Sequence, residues 1–306
     1  MSIALDDQQT QQIFLTLAES LEGGEALPTR LLVTYLQHPE AAIRRLAIEV
    51  IQLENDPAAV PALLQATADA NVEVSLLASE VLRFFQAPAA VDHLVAGLES
   101  SVPETRLAAL VALRERRETE ALGALVRRLS DPEPEIRRQA VTAVANYRRH
   151  DHLPALRSTL RDESAAVRKV AIAAVVQFDD VFVFDDLIAA LADGNWEVRR
   201  EAALGLGRFP NEDAKSALKA TLEDSAWQVV REAALTLSRL QADGSEAVAA
   251  LLTHELADLR IAGTVALGES QNPTWIDRLK PLLNDQDGGV RKSARLAIER
   301  LAASRD

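Results

Sequence analysis

Apolar residues recur along the chain with the spacing of one helix face, and this pattern itself recurs about every 31 residues. The segment WEVRREAAL at 196–204 reappears 31 residues later as WQVVREAAL at 227–235. Steps of 31 residues, with one step of 30, define an anchor position in each of nine repeats, and seven of the nine anchors are arginine. The anchors are Arg44, Ser75, Arg106, Arg137, Arg168, Arg199, Val230, Arg260 and Arg291.

Three positions near each anchor keep a constant character. The residue before the anchor is aliphatic in eight of the nine repeats, the third residue after it is Ala or Gly, and the seventh is aliphatic. These positions share one face of a helix, which we name helix B. Apolar-periodic segments upstream, such as 58–64 and 183–191, predict a preceding helix A. Each repeat is therefore expected to be a pair of helices joined by a short turn.

A polar residue lies six positions before each anchor, in the turn between helix A and helix B. An aspartate there accepts N–H groups at the start of helix B, and an arginine one turn into helix B reaches such an aspartate in its own or the neighbouring repeat. We therefore expect the anchor arginines to be structural, with looser packing where Ser75 and Val230 replace them. The turn residues are His38, Asp69, Ser100, Asp131, Asp162, Asp193, Asp224, His254 and Asp285.

The segment LADGNWEVRREAALGLGRF at 191–209 resembles HEAT repeats, in the short form found in the phycobilisome-lyase-like (E–Z) family. The resemblance covers roughly residues 28–303. It implies an all-α fold, a right-handed α-solenoid of about nine helix pairs. The polar start and the apolar segment 13–21 predict an N-terminal capping helix within residues 1–27. Because no linker divides the repeats, we expect a single domain over residues 1–306.

The resemblance also implies that helix B lines the concave side, so positions +1, +5 and +9 would form a binding surface. Position +1 is basic in four successive repeats, which predicts a ridge that seats an acidic partner segment. The alternative is that these residues are ordinary solvated side chains balanced by Glu201 and Glu232. The ridge consists of Arg138, Lys169, Arg200 and Arg231.

Large apolar residues also occupy positions that should face solvent. They predict two binding patches, unless a tight superhelix buries them against the adjacent helix B. Trp196 and Trp227 share one register, three residues before the anchor, and are either contact residues or structural packing. The first patch, in repeats two and three, comprises Leu76, Leu77, Phe84 and Leu107, and the second, in repeats six to nine, includes Leu204 and Leu235.

The composition limits the kinds of functional site and partner that the chain can have. The chain has no cysteine, which excludes disulfides and thiolate sites, and its net charge of −13 argues against nucleic acid or an anionic membrane as partner. No apolar run reaches the length of a membrane span, and no signal-peptide pattern opens the chain, so a cytoplasmic location is expected. His150 and His152 have no third ligand in register, and His254–Glu255 is the single His-Glu pair. We therefore expect no metal site and no catalytic residue.

Two functions remain. The first is a non-catalytic scaffold that binds a protein partner along helix B and holds no cofactor. The second is implied by the family resemblance: a phycobilin lyase subunit that holds an open-chain tetrapyrrole transiently and delivers it to a phycobiliprotein. In that case Arg or Lys would pair with the propionates, and Leu and Trp would cover the rings. The sequence contains no lyase-specific motif that decides between the two.

Overall fold

A computed structural model describes residues 7–23, 25–178, 180–240 and 245–303. These residues form α1 (Asp7–Leu21) followed by nine pairs of α-helices, with no strand. This arrangement confirms the predicted all-α fold. In each pair, helix A comes first: α2 (Thr29–Tyr35), α4 (Val60–Ala66), α6 (Ala90–Gly97), α8 (Leu122–Arg127), α10 (Leu153–Ser158), α12 (Val181–Ala190), α14 (Glu212–Thr221), α16 (Ser245–Ala249) and α18 (Ile276–Leu279).

Helix B is the second and usually longer member of each pair. Short 3-10 helices precede or extend several of the helices. Helix B is α3 (Ala41–Glu54), α5 (Val72–Phe84), α7 (Pro103–Arg116), α9 (Pro134–Ala145), α11 (Ala165–Val175), α13 (Trp196–Gly205), α15 (Trp227–Arg239), α17 (Ala257–Glu269) and α19 (Gly288–Ala303). The 3-10 helices are Pro57–Ala59, Thr119–Ala121, Arg128–Ser130, His150–His152, Thr159–Arg161, Leu206–Arg208, Ala250–Thr253, Pro273–Trp275 and Lys280–Asn284.

The chain divides into two compact units, Met1–Ala155 and Leu156–Asp306, and the division falls within α10. In the first unit, α3, α5, α7 and α9 pack in succession. In the second unit, α11, α13, α15, α17 and α19 do the same. Each unit is therefore a stack of helix pairs of the α-solenoid class. The single domain over residues 1–306 stays a prediction.

The predicted apolar face of helix B is confirmed. In the sixth repeat, Val198, Ala202 and Leu206 hold positions −1, +3 and +7, and each is at most 1% exposed. The equivalent residues of the other repeats are also buried, apart from the half-buried Ile298 in α19. A single helix pair has no partner for this face, so the face is removed from water only when neighbouring pairs stack.

Each turn side chain accepts a backbone N–H two residues further along. Asp193 Oδ1 accepts from Asn195 N at 2.8 Å, and His254 Nδ1 accepts from Leu256 N at 3.0 Å. The bond satisfies an N–H group that has no acceptor within helix B, as the sequence predicts. The same bond is made by His38, Asp69, Ser100, Asp131, Asp162, Asp224 and Asp285.

The anchor arginine links its own turn to the turn of the following repeat. Arg199 donates from Nε and Nη2 to both carboxylate oxygens of Asp224, at 2.6 and 2.7 Å. Its Nη1 donates to the carbonyl oxygen of Asp193, in its own turn, at 2.9 Å. The aspartate therefore belongs to the neighbouring repeat, a point that the sequence leaves open. We call this contact the arginine fork. The same fork joins Arg44 to Asp69, Arg106 to Asp131, Arg168 to Asp193 and Arg260 to Asp285.

Aspartate occupies a turn only where the preceding anchor is arginine. The turns after Ser75 and Val230 carry Ser100 and His254, and the first turn, which follows no arginine anchor, carries His38. Removing one partner of a largely buried ion pair leaves a desolvated charge, which is costly. The paired replacement of arginine and aspartate avoids this cost.

Clefts lie beside both breaks in the arginine ladder. Trp227 and Val230 line a cleft of about 360 Å³ in the second unit, and Ser100 lines one of about 450 Å³ in the first. In place of a fork, Ser75 Oγ donates to the carbonyl oxygen of Thr67 at 2.6 Å. At these breaks the anchor residue is Ser75 or Val230, neither of which has a guanidinium group to form a fork.

The forks predict a loss of stability in acid. Hydrogen bonds from Arg199 hold the pKa of Asp224 below its ordinary value of 3.8. As the pH falls, the unfolded chain therefore takes up protons first, so this stabilisation is complete above about pH 4 and is lost below it. We expect Asp224→Asn to lower the free energy of unfolding by about 2 kcal/mol at pH 7. The free energy of unfolding of this variant should also decrease less in acid than that of the parent protein, measured by urea unfolding at a series of pH values. The pKa is lowered in the same way in Asp69, Asp193 and Asp285.

Asp213→Asn provides the control for this experiment, because Asp213 is exposed on α14 and belongs to no fork. Its stability should follow the parent protein at every pH. An Asp224→Asn variant with the same acid dependence as the parent protein would contradict the assigned role of the fork.

Candidate partner-binding surface

Helix B carries a basic residue at the same register in three successive repeats of the second unit. Lys169 lies on α11, Arg200 on α13 and Arg231 on α15, and α13 packs against both other helices. We call these three residues the basic row. Position +1 lies on the opposite side of helix B from the buried positions, so the row follows the outward face of the helices.

The members of the basic row differ in their partners. Lys169 Nζ lies 3.2 Å from Glu197 Oε1 of the next helix B. Within the described residues, no carboxylate lies at ion-pair distance from Arg200 or Arg231, and the Nε of Arg200 is buried without an acceptor. Unpaired guanidinium groups keep several strong donors available, so an anion placed beside them would be stabilised.

One carboxyl group stands among these cations. Glu201 follows Arg200 on α13 and is half-buried. Burial raises the pKa of Glu201 above its ordinary value of 4.5, against the opposing charges of Arg200 and Lys169 and with a smaller contribution from Glu232. Glu232 itself pairs with Arg239 at 3.0 Å. From the sequence, Glu201 is predicted only to balance the charge of the neighbouring basic residues. Its burial depends on how closely the helices pack, which the sequence does not specify.

The fourth predicted ridge residue, Arg138, lies in the first unit on α9. Its Nε and Nη2 donate to the carboxylate of Glu135, one turn earlier on the same helix, at 2.8 and 2.6 Å. The predicted ridge therefore consists of three residues in the second unit and one ion-paired residue in the first.

The predicted apolar patches also differ from each other. In the first unit, Leu76 is 65% exposed and Phe84 is 54% exposed on α5, whereas Leu107 on α7 is half-buried. The guanidinium carbon of Arg83 lies 5.1 Å from the centre of the Phe84 ring and shields one face of it.

In the second unit, Leu204 and Leu235 are half-buried. They lie at position +5 of α13 and α15, on the side of helix B that carries the basic row. Each leucine packs partly against its surroundings and keeps some surface for a partner.

The two tryptophans occupy equivalent positions with different surroundings. Trp196 begins α13 and is 36% exposed. Trp227 begins α15, is half-buried, and lines the 360 Å³ cleft together with Val230 and Leu256. Trp227 therefore forms part of an apolar wall, while Trp196 presents more of its ring to solvent.

Histidines and acids do not gather into a metal-binding group in the described part of the chain. His150 and His152 lie in one 3-10 helix, and His254 serves as a turn residue that accepts the N–H of Leu256. None of the helices in the described ranges has both the length and the apolar character needed to cross a bilayer.

The repeats match the family model for HEAT repeats over residues 29–114, 92–176 and 184–258, which together make up well over half of the chain. The chain therefore belongs to the HEAT-repeat family. No curated protein matches it significantly.

Solved structures show the same fold at low sequence identity. A chain of the complex between Kap95p and RanGDP aligns with a TM-score of 0.65 and 14% identity, covering 99% of this chain and 47% of that one. YibA of Escherichia coli aligns with a TM-score of 0.54 and 18% identity over 99% of both chains. HEAT solenoids commonly act as protein-interaction scaffolds.

The raised pKa of Glu201 generates a prediction about stability. The folded state is less stable with this carboxyl group ionised than with it protonated, because burial disfavours the charged form. The contribution of Glu201 to stability therefore falls as the pH rises above 4.5 through the folded-state pKa. We expect Glu201→Gln to raise the Tm at pH 7 and to leave it nearly unchanged at about pH 4, measured by calorimetry. Glu223→Gln, at an exposed glutamate of the same unit, should change the Tm little at either pH. A Glu201→Gln variant no more stable than the parent at pH 7 would refute the assignment.

Proposed function

We propose that this HEAT-repeat protein is a cytoplasmic, non-catalytic scaffold that binds an acidic segment of a protein partner along the helix-B face of its second unit. The observation that carries the proposal is the pair of unpaired guanidinium groups, Arg200 and Arg231, on adjacent helices of a chain with net charge −13. The fork arginines of the same unit are ion-paired with aspartates. This pairing distinguishes them, as structural residues, from Arg200 and Arg231.

The surroundings of the basic row suit a peptide segment. Leu204 and Leu235 lie four residues beyond Arg200 and Arg231 on the same helices, so one strip of surface offers both charge and apolar contact. Partner carboxylates would bind the guanidinium groups, while apolar side chains would cover the leucines. Such contacts, repeated from helix to helix, spread affinity over an extended surface.

The test is a charge-reversal experiment with a matched control. We expect the triple variant Lys169→Glu, Arg200→Glu and Arg231→Glu to fold normally and to lose at least about tenfold in affinity for the partner. The partner is first captured from source-cell lysate by cross-linking to the parent protein, then purified and titrated against both proteins.

The control reverses three basic residues of the same unit outside the row: Arg161, Lys219 and Lys280. It changes the net charge by the same amount, so any loss of affinity that comes from the net charge alone appears in both variants. Equal affinities of the two triple variants, or cross-links confined to helix A, would refute the basic row as the binding surface.

A second candidate, in line with the resemblance to the phycobilisome-lyase-like subtype, is binding of an open-chain tetrapyrrole for delivery to a phycobiliprotein. The observation that favours it is Glu201, a half-buried carboxyl group on α13 whose pKa is raised by burial and which stands among the charges of Arg200 and Lys169. Those cations would pair with propionates, and Glu201 would protonate a pyrrole nitrogen.

Absorbance separates the two candidates. Addition of biliverdin as the probe should shift the pigment's long-wavelength band to the red if the tetrapyrrole is held and protonated, and Glu201→Gln should abolish this shift. Leu76→Ala, in the first unit, is the control and should keep the shift. A spectrum that the protein leaves unchanged would refute tetrapyrrole binding and leave the scaffold proposal intact.

A further inference from the structure

The seventh repeat keeps the backbone acceptors of an arginine anchor but carries Val230 at the anchor position. All seven arginine anchors donate from Nη1 to the carbonyl oxygen six residues earlier, at 2.7 to 3.0 Å. Six of them also donate to the carbonyl oxygen five residues earlier. In the seventh repeat these oxygens belong to Asp224 and Ser225, and neither accepts a hydrogen bond from the described residues. Two strong acceptors therefore face the space that an arginine side chain fills in the arginine repeats.

This space belongs to the cleft of about 360 Å³ in the second unit. Asp224, Ser225 and Val230 line the cleft on one side. His254, which holds the turn position of the fork aspartates, lines it on the side of the next repeat. The cleft therefore spans the two turns that an arginine fork would join, and its volume lies within the range of roughly 300 to 1,000 Å³ that is typical of ligand sites.

The remaining walls of the cleft are aromatic, apolar and acidic. Trp227 is half-buried in it, and Glu223 lines it as an exposed carboxylate with no ion pair in the described part of the chain. His254 offers no further acceptor, because its Nδ1 already accepts the N–H of Leu256 at 3.0 Å and a neutral imidazole has one acceptor nitrogen. Carbonyl and carboxylate acceptors beside an aromatic ring are the groups that bind a guanidinium ion.

We infer that this cleft binds the arginine side chain of a protein partner. The guanidinium group donates to the carbonyl oxygens of Asp224 and Ser225, as the anchor arginines do in their own turns, and its other edge meets the carboxylate of Glu223. The side-chain stem packs on Trp227. A planar guanidinium reaches several acceptors at once, which the compact ammonium group of lysine does not.

The exposed wall of the cleft favours a peptide over a free guanidine. Leu256 lines the cleft and is 46% exposed, so it offers apolar contact to the residues that flank the arginine in a partner. Several such contacts beside one charged group are typical of side-chain recognition at protein interfaces.

The arginine site is separate from the basic row in both place and chemistry. The basic row lies at position +1 on the outward face of helix B and attracts carboxylates, whereas the cleft lies at the turns and attracts a cation. The inference therefore does not rest on the proposed scaffold surface, and each can fail without the other.

The probe for the cleft is the peptide acetyl-Leu-Arg-Leu-amide. The matched peptide carries citrulline, which has nearly the shape of arginine but no charge. Methylguanidine, the third probe, presents the guanidinium group without a peptide. Binding to the full 306-residue chain is followed by NMR through the indole N–H signals of its three tryptophans, with Trp227→Phe used to assign the signal of Trp227.

We expect the arginine peptide, at about 1 mM, to shift the Trp227 signal and to bind about tenfold more tightly than the citrulline peptide or methylguanidine. Glu223→Gln should weaken binding of the arginine peptide about threefold, because it removes the carboxylate of the cleft. Glu255→Gln is the control, since Glu255 is an exposed glutamate that does not line the cleft, and it should leave binding unchanged.

Two further variants rebuild the fork at this break. His254→Asp supplies the carboxylate that the forks use and should tighten binding of the arginine peptide about tenfold. Adding Val230→Arg to His254→Asp places an arginine of the chain itself in the cleft, so the peptide should no longer bind. A Tm above that of the parent protein would confirm that this double variant is folded, and Glu223→Gln tests the site without altering the buried anchor.

Any of four results would overturn the inference. The citrulline peptide binds as tightly as the arginine peptide, or Glu255→Gln weakens binding as much as Glu223→Gln. The folded double variant Val230→Arg with His254→Asp still binds the peptide, which would place the peptide elsewhere. Methylguanidine binds as tightly as the peptide, which would assign the cleft to a free guanidine and not to a protein partner.

Discussion

A bidentate hydrogen bond from the arginine of one repeat to the aspartate of the next sets how neighbouring turns meet. The same carboxylate accepts the N–H near the start of its own helix B, so one side chain orients a helix and receives the preceding repeat. In the Arg106–Asp131 fork, the Asp131 side chain is fully buried. A buried carboxylate without its arginine would cost about 3 to 5 kcal/mol, so neither residue is tolerated alone.

Apolar packing alone would not specify this arrangement. The small residues on helix B allow close approach: a Cβ at Gly268 would lie 2.7 Å from the Cβ of Ala297. The burial of apolar area by Ala and Leu depends on area and not on direction, so it opposes a slide along the helix axis mainly through such close contacts. The fork is directional, and it therefore fixes the register in which small residues meet.

The periodic part of the structure was predictable, and the singular parts were not. A constant spacing of arginine, small residue and leucine is enough to place every helix B, because each helix B buries the same apolar face against neighbouring helix pairs. The burial of Glu201 and the ion pairing of Arg138 depend on contacts that do not recur from repeat to repeat. Glu201 is half-buried by the packing around α13, and Arg138 is neutralised by Glu135, which has no charged counterpart at the same register beside Lys169. Likewise, residue spacing allowed the aspartate to lie in either repeat, and only the packed distance selects the neighbour.

The same reasoning separates structural cations from binding cations. A helical repeat of this acidic composition can neutralise almost any arginine, so a guanidinium that stays unpaired is informative in a way that its presence in the sequence is not. In the described part of the second unit, such groups occur on the outward face of α13 and α15. The contrast is sharpest between two neighbours on α13: Arg199 donates its Nε to Asp224, whereas the Nε of Arg200 is buried without an acceptor, so only Arg200 keeps this donor for a partner.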